Sequence, residues 1–216
     1  MMQDVPSPPP AQSGTPEHAA GGLLRLGILV SGGGTTLQNL AEAVSRGELP
    51  AEIACVISSN PNAGGIERAR RLKLAVSVLS PKTFSSGDAF SSALADILRG
   101  AGCDLVCMAG FLCLWKIPPD FTGRVMNIHP ALLPKFGGRG MHGRHVHEAV
   151  LAAGEPFSGC TVHYADNQYD HGPVILQRRC PVLPGDTPET LASRVFREEC
   201  VAYPEAIRRH MAALRR

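Results

Sequence analysis

Short apolar runs alternate with segments of helical spacing from Leu24 onward, and this alternation limits the fold more than any other feature of the sequence. The pattern predicts strands at residues 24–30, 53–57, 75–79, 105–108 and 125–128, and helices at residues 37–46, 65–72 and 84–101. Short strands that are separated by helices need right-handed crossover connections. The sequence therefore predicts an α/β fold with a mostly parallel, twisted sheet that is flanked by helices on both faces.

The last third of the sequence changes character. Residues 158–164 and 173–179 are predicted strands, and the polar turn between them, residues 165–172, is too short for a crossover helix. This pattern predicts an antiparallel hairpin. A final helix is predicted at residues 188–214, because Asp186, Thr187 and Pro188 form a typical helix start. Pro204 is expected to kink or divide this helix.

Length and composition predict one domain at residues 23–216, preceded by a disordered Pro/Gly/Ala-rich tail at residues 1–22. A net charge of +2 gives no reason to expect nucleic acid or an anionic membrane as a partner. The longest apolar run, residues 105–115, is shorter than the roughly 20 residues that cross a bilayer. Seven cysteines without paired metal spacing predict reduced thiols and a cytoplasmic location.

Asn127 and His129 are the strongest candidates for catalysis, because they stand two apart at the end of a predicted strand that Pro130 terminates. Residues two apart in a strand point to the same side, so an amide donor and a titratable imidazole face one space. This pair suits a carbonyl carbon that becomes tetrahedral and negatively charged. The structural alternative is a polar pair that only caps the strand.

The turn at residues 165–172 is expected to supply a carboxylate partner for His129. Asp170 stands just before the sequence Gly172-Pro173, which can hold its backbone rigidly. Its carboxylate would orient the imidazole and favour the imidazolium form. Asp166 is the competing candidate, although a purely local turn also explains an aspartate at this position.

Three further histidines, His142, His145 and His147, invite a metal site, but no metal is predicted. His145 and His147 lie at the start of a predicted helix, residues 146–153, and would diverge around it. No carboxylate or thiol completes a ligand set at a useful spacing. A mobile loop at residues 135–144 is expected to lie next to a ligand, and His163 is expected to be a core or interface histidine.

A glycine-rich turn, Ser31-Gly32-Gly33-Gly34-Thr35-Thr36, follows the first strand and opens the first helix. Glycines let the backbone approach a ligand closely, and the helix N-terminus offers free N–H groups to an anion. The sequence lacks both the Lys-Ser/Thr ending of a nucleoside-triphosphate loop and the spacing of the dinucleotide fingerprint. A monophosphate site is therefore favoured, and a tight turn without a ligand is the alternative.

Four sequence segments together resemble the folate-dependent phosphoribosylglycinamide formyltransferases of purine synthesis. They are the glycine-rich turn continued to Leu40, the Met108-Ala109-Gly110-Phe111 segment, the Asn127–Pro134 segment and the segment from Asp170 to Gln177. The resemblance covers residues 24–210 and implies a single Rossmann-like formyltransferase domain. It implies transfer of a formyl group from 10-formyltetrahydrofolate, a cosubstrate, to the amine of glycinamide ribonucleotide, with no tightly bound cofactor.

The resemblance also implies roles for individual residues. Asn127, protonated His129 and Asp170 match the reacting groups. Substrate binding falls to Gly33, Gly34, Thr35, Thr36 and Glu199, and folate binding to Phe111, Leu112, Cys113, Leu114, Asp166 and Tyr169. The partners are these small molecules, with the protein itself a monomer or homodimer.

The sequence departs from the family's pattern at several of these positions. Thr36 replaces a frequent Asn, Cys113 a frequent Arg, Phe196 a polar residue and His171 a common Gly. Formyltetrahydrofolate hydrolases and methionyl-tRNA formyltransferases share the reacting residues and are the rival expectations, but they are disfavoured because they usually carry a further domain. A binding module without catalysis is a third, because it would explain the glycine turn alone.

Overall fold

The computed structural model describes residues 22–215, so the predicted tail lies outside the described residues except for Gly22. The strands are β1 (Leu24–Val30), β2 (Ala51–Ser58), β3 (Val76–Val78), β4 (Leu105–Met108), β5 (Val125–His129), β6 (Phe157–Tyr164) and β7 (Val174–Pro181). The helices are α1 (Thr35–Ser45), α2 (Gly64–Arg71), α3 (Gly87–Gly100), α4 (Arg144–Ala152) and α5 (Pro188–Leu214). Two short 3₁₀ turns, Pro81–Thr83 and Pro119–Phe121, complete the regular structure of this part of the chain.

Seven strands form one sheet in the order β3-β2-β1-β4-β5-β6-β7. The pairs from β3 to β5 are parallel, whereas β6 is antiparallel to β5 and β7 is antiparallel to β6. The predicted α/β fold with an antiparallel C-terminal hairpin is therefore confirmed. The order steps from β2 through β1 to β4, which is the arrangement that opens a crevice at the carboxyl ends of the strands.

The central strands are buried on both faces of the sheet. In β1, Ile28 belongs to the core beneath α1 and α5, while its neighbour Leu29 belongs to the core beneath α3. Alternate residues of a strand point to opposite faces, so a continuous apolar run is what a doubly covered strand requires. This explains why the apolar runs of the sequence were reliable markers of the strands.

Helix α5 continues through Pro204 as one element, so the expectation that this proline divides the helix is wrong. Pro204 is buried, as are its neighbours Tyr203 and Ala202. The packing of this face against the sheet holds the helix together where one backbone hydrogen bond is missing. The Tyr203 hydroxyl lies 3.0 Å from the carbonyl oxygen of Met108 and 2.9 Å from that of Met126, to which it donates.

Capping side chains determine where two of the helices begin. Helix α3 begins at Gly87 and not at residue 84, because the Ser86 side chain accepts the backbone N–H of Ala89 at 3.1 Å. Helix α5 begins where predicted, at a capping box between Thr187 and Thr190. Among the described residues, no helix has the length and apolar character needed to cross a membrane.

Candidate active site

A cavity of about 600 Å³ opens at the carboxyl ends of β1, β4 and β5. Its walls come from α1, the segment after β4, the end of β5, the loop before α4, the β6–β7 turn and one face of α5. The residues that line it include Thr35, Thr36, Phe111, Leu112, Cys113, Leu114, Asn127, His129, His147, His163, Asp166, Tyr169, Asp170, Phe196 and Glu199. Most of the residues predicted for binding or catalysis therefore meet in one space.

Strand β5 presents Asn127 and His129 to this cavity, as the two-residue periodicity predicts. His129 is only 3% exposed and ends the strand. The chain beyond it is fixed by Thr161, whose hydroxyl donates to the Ala131 carbonyl at 2.7 Å and accepts the Leu133 N–H at 3.0 Å. The strand end is thus held rigidly, which is what an oriented donor and imidazole need.

Asp170 reaches both residues from the β6–β7 turn. Its Oδ1 accepts a hydrogen bond from Asn127 Nδ2 at 3.2 Å, and its Oδ2 lies 3.4 Å from His129 Nδ1. Oδ2 also accepts the backbone N–H of Gly138 at 2.9 Å. The backbone of Asp170 is left-handed, with φ of 52°, a conformation that Asp tolerates better than most residues. The three residues singled out for catalysis are thus in contact.

The same contacts determine which form of each group the site favours. Burial alone would raise the pKa of Asp170, but the nearby imidazoles of His163 and His129 and the hydrogen bond from the Gly138 N–H outweigh it, and the net pKa is lowered. Burial lowers the pKa of His129, and Asp170 acts in the opposite direction without overcoming it. Burial thus opposes protonation of His129 while Asp170 favours it, and the protonated ring stays a prediction.

One nitrogen of His129 is fully engaged by the backbone. Its Nε2 lies 2.7 Å from the carbonyl oxygen of Phe136, and because a carbonyl only accepts, Nε2 carries the hydrogen. In the neutral ring, Nδ1 then holds the free lone pair and is the nitrogen that faces Asp170. In a neutral ring, Nδ1 is therefore the nitrogen that is able to accept a proton.

The glycine-rich turn divides its residues between two tasks. Thr35 and Thr36 line the cavity at the first turn of α1. Gly34 has φ of 74°, and a β-carbon there would lie 2.6 Å from the Cα of Gly65 in α2. The Gly33 carbonyl accepts a hydrogen bond from Arg68 at 2.7 Å. Backbone conformation and packing against α2 thus explain Gly34 fully, and its predicted contact with a phosphate stays a prediction.

Helix α5 brings Ala192, Ser193, Phe196 and Glu199 to the cavity on one face. Glu199 opens partly onto the cavity, but protein atoms surround its carboxyl group, and this desolvation raises its pKa to about 7. Among the described residues, no cation counteracts this desolvation. This carboxyl group is placed to receive a cationic or hydrogen-bonding ligand group.

The same cavity is lined by the residues predicted to bind folate. Leu112, Leu114 and Tyr169 are 51%, 50% and 42% exposed and lie together at the cavity. Exposed apolar side chains around a cavity favour a flat or apolar ligand. Asp166 accepts the backbone N–H of Gln168 at 2.8 Å and pairs with His171 at 2.7 Å, so it shapes the local turn, as its alternative explanation held.

The remaining histidines behave differently from one another. His145 is exposed and His147 is buried, so they diverge around α4 as predicted. No cluster of three metal-ligating side chains occurs in residues 22–215. His163 is buried as expected, but it belongs to the site: its Nε2 lies 3.2 Å from Asn127 Nδ2. The direct pairing of Asn127 with His163 across β5 and β6 is the signal that sequence reasoning lacked.

Comparison with known proteins gives concordant matches. The family model described as "Formyl transferase" matches residues 24–207. A chloroplastic phosphoribosylglycinamide formyltransferase of Arabidopsis thaliana is 39% identical over 188 residues, which are 85% of this chain and 64% of that protein. This chain therefore spans slightly less than two thirds of the plant relative's length.

Bacterial relatives match over more of their length. The phosphoribosylglycinamide formyltransferase of Haemophilus influenzae is 34% identical over 186 residues, which are 85% of each chain. A crystal structure of glycinamide ribonucleotide transformylase 1 from Symbiobacterium toebii superposes with a TM-score of 0.80 at 42% identity. That likeness covers 91% of this chain and 92% of the other.

Proposed function

This chain belongs to the formyl transferase family, as a phosphoribosylglycinamide formyltransferase by similarity, and we propose that it formylates glycinamide ribonucleotide in purine synthesis. The formyl donor is 10-formyltetrahydrofolate, which is consumed as a cosubstrate, and the products are formylglycinamide ribonucleotide and tetrahydrofolate. The contact of Asn127, His129 and Asp170 inside one cavity carries this proposal.

The reaction forms one C–N bond and breaks another. The neutral glycyl amine attacks the formyl carbon, and the Asn127 amide donates to the developing oxyanion. Nδ1 of His129 takes the proton that the attacking nitrogen releases, and Asp170 stabilises the resulting imidazolium. The same nitrogen then delivers the proton to N10 of the folate as the C–N10 bond breaks. The lowered pKa of His129 suits this sequence of steps, because the ring must first act as a base.

The two ends of the cavity fit two different ligands. At one end, Thr35 and Thr36 at the N-terminus of α1 would hold the phosphate of the ribonucleotide, with Gly33 and Gly34 shaping the turn. Glu199 would hold its ribose or amine end. At the other end, the folate would lie against the exposed apolar side chains of Phe111–Leu114 and Tyr169, beside Asp166.

The proposal includes a cytoplasmic location, with a monomer or homodimer as the working form and no nucleic acid or membrane partner. The seven cysteines are unpaired thiols, which suits a reducing compartment. The Arabidopsis relative carries the description "chloroplastic", so targeting can differ within the family.

Replacing His129 by alanine tests the mechanism. We expect kcat to fall by roughly 10³-fold or more, because the only proton-transferring ring nitrogen at the formyl carbon is lost. Binding of glycinamide ribonucleotide, measured by calorimetry, is expected to persist. His145→Ala is the matched control, because this histidine is exposed, and its turnover should equal that of the wild type. Near wild-type turnover by His129→Ala would refute the mechanism.

The identity of the formyl acceptor is tested by incubating the wild-type protein and 10-formyltetrahydrofolate with each of three acceptors: glycinamide ribonucleotide, water or charged initiator tRNA. Glycinamide ribonucleotide should be formylated, while water and charged initiator tRNA should give slow or no turnover. Release of formate without formylated ribonucleotide would instead identify a hydrolase, and formylated methionyl-tRNA would identify the other rival.

A further inference from the structure

His163 stands directly opposite Asn127 in the antiparallel pairing of β5 and β6. Residues that are directly opposite each other in such a pair project to the same face of the sheet. His163 is 1% exposed, and its ring therefore lies beside the Asn127 amide at the floor of the cavity. The proposed mechanism assigns no role to His163.

The hydrogen bonds of His163 assign a role to each ring nitrogen. Nδ1 lies 2.9 Å from the carbonyl oxygen of Tyr164, so Nδ1 must carry the hydrogen. Nε2 of the neutral ring is then an acceptor, and it lies 3.2 Å from Asn127 Nδ2. The Oδ1 of Asp170 is 3.7 Å from Nε2, which is beyond hydrogen-bond distance. The contact with Asn127 is therefore the one that Nε2 makes.

Asn127 can meet its two neighbours in only one orientation. Both Asp170 Oδ1 and His163 Nε2 are acceptors, and each lies 3.2 Å from Asn127 Nδ2. A flipped amide would turn its own oxygen towards two acceptors and lose both hydrogen bonds. If the amide hydrogen that Asn127 donates to Asp170 turns to another acceptor, His163 still accepts the second amide hydrogen.

From this geometry we infer that His163 is a positioning residue for formyl transfer, which acts by keeping the NH₂ group of Asn127 turned towards the reacting oxygen. When the oxyanion forms, one amide hydrogen leaves Asp170 Oδ1 for the formyl oxygen, and His163 Nε2 retains the other. The carboxylate is freed at the same moment to face the imidazolium of His129. The inference deepens the proposed function and rests on it.

A double-mutant cycle between the two residues separates this role from a structural one. His163→Leu is expected to lower kcat by roughly 10- to 100-fold, with little change in KM, because the donor is misdirected but the ligand contacts remain. His163→Gln should recover most of the loss, since its side-chain oxygen can accept from the amide. In an Asn127→Ala background, His163→Leu should add less than about a twofold further loss.

His210→Leu is the matched control. His210 is also buried, but its Nδ1 bonds with the Tyr164 hydroxyl at 2.8 Å, away from the Asn127 amide. Its kcat should equal that of the wild type. An equal loss from His163→Leu in both backgrounds, or no recovery in His163→Gln, would overturn the inference.

Nitrogen-15 NMR of the wild-type protein, labelled in histidine, measures the tautomer of His163 directly and does not depend on the folding of a variant. The His163 ring should carry its hydrogen on Nδ1, with Nε2 unprotonated and accepting, and an Nε2-protonated neutral ring would refute the assignment. This readout does not depend on the acceptor. If the wild-type protein fails to formylate glycinamide ribonucleotide, the proposed function is wrong. The spectrum would still show which nitrogen of His163 carries the hydrogen.

Discussion

Two carboxyl groups share the cavity, and their surroundings have opposite effects. Asp170 is met by the Asn127 amide, the Gly138 N–H and two imidazole rings, and its pKa is lowered. Glu199 is surrounded by protein without a compensating cation, and its pKa is raised to about 7. The protein thus surrounds Asp170, the group proposed to act near the formyl carbon, with its own hydrogen-bond donors. For Glu199, by contrast, the bound ligand would have to supply the hydrogen-bond donor or cation.

This difference separates catalysis from recognition. A carboxylate that is already paired stays ionised and oriented in every turnover, which suits a group that must stabilise a transient imidazolium. A carboxyl group without a partner gains a large interaction only when a cation or donor arrives. We therefore propose that Glu199 contributes to binding and to the choice of acceptor.

Asp170→Asn should have the largest effect of the changes that test this contrast. The variant keeps the left-handed backbone and the shape of the side chain but loses the negative charge, so we expect kcat to fall by about 10³-fold with a small change in KM. Steady-state kinetics with both substrates measures it. Asp88→Asn, an exposed residue paired with Lys116, should leave kcat unchanged. A large rise in KM at normal kcat would place Asp170 in recognition instead.

Glu199→Gln should act mainly on binding. We expect KM for glycinamide ribonucleotide to rise by roughly 10- to 100-fold, because the interaction of the ligand with a desolvated carboxylate is lost, while KM for the folate stays the same. Glu198→Gln, next to it on α5 and paired with Arg178 at 2.7 Å, is the control that should leave both KM values unchanged. An unaltered KM in Glu199→Gln would remove this residue from the acceptor site.

The smallest effect concerns stability. A carboxyl group whose folded-state pKa is raised stabilises the fold fully below its ordinary pKa, and this stabilisation is lost as pH rises through the folded value. For Glu199 the window runs from 4.5 to about 7. The stability of Glu199→Gln should therefore match that of the wild type at the acid end and exceed it by about 3 kcal/mol above the window.

Urea unfolding of wild type and variant across this pH range measures that difference. The comparison is needed because burial lowers the pKa of His129, His147 and His210, and these groups make stability rise with pH over a similar range. A difference that does not change with pH would show that Glu199 is ordinarily solvated.

The contrast between the two carboxyl groups was not visible in the sequence, although both residues were candidates. Periodicity predicted the strands and α5 closely, because burial on one or two faces is written into consecutive residues. It also predicted that Asn127 and His129 face one space. The sequence had no means of showing that Glu199 would lack a cation, since that depends on every element around it.

What the sequence determined by itself is therefore local: the order of strands and helices, the hairpin at the end, and the same-sided pair on β5. The tertiary structure decided which groups complete that pair. Asp170 and His163 lie 43 and 36 positions beyond Asn127, and only the β5–β6 register and the β6–β7 turn bring them together. The physical reason is that periodicity reports burial of a residue, whereas hydrogen-bond partners, tautomers and pKa shifts arise from contacts between distant segments.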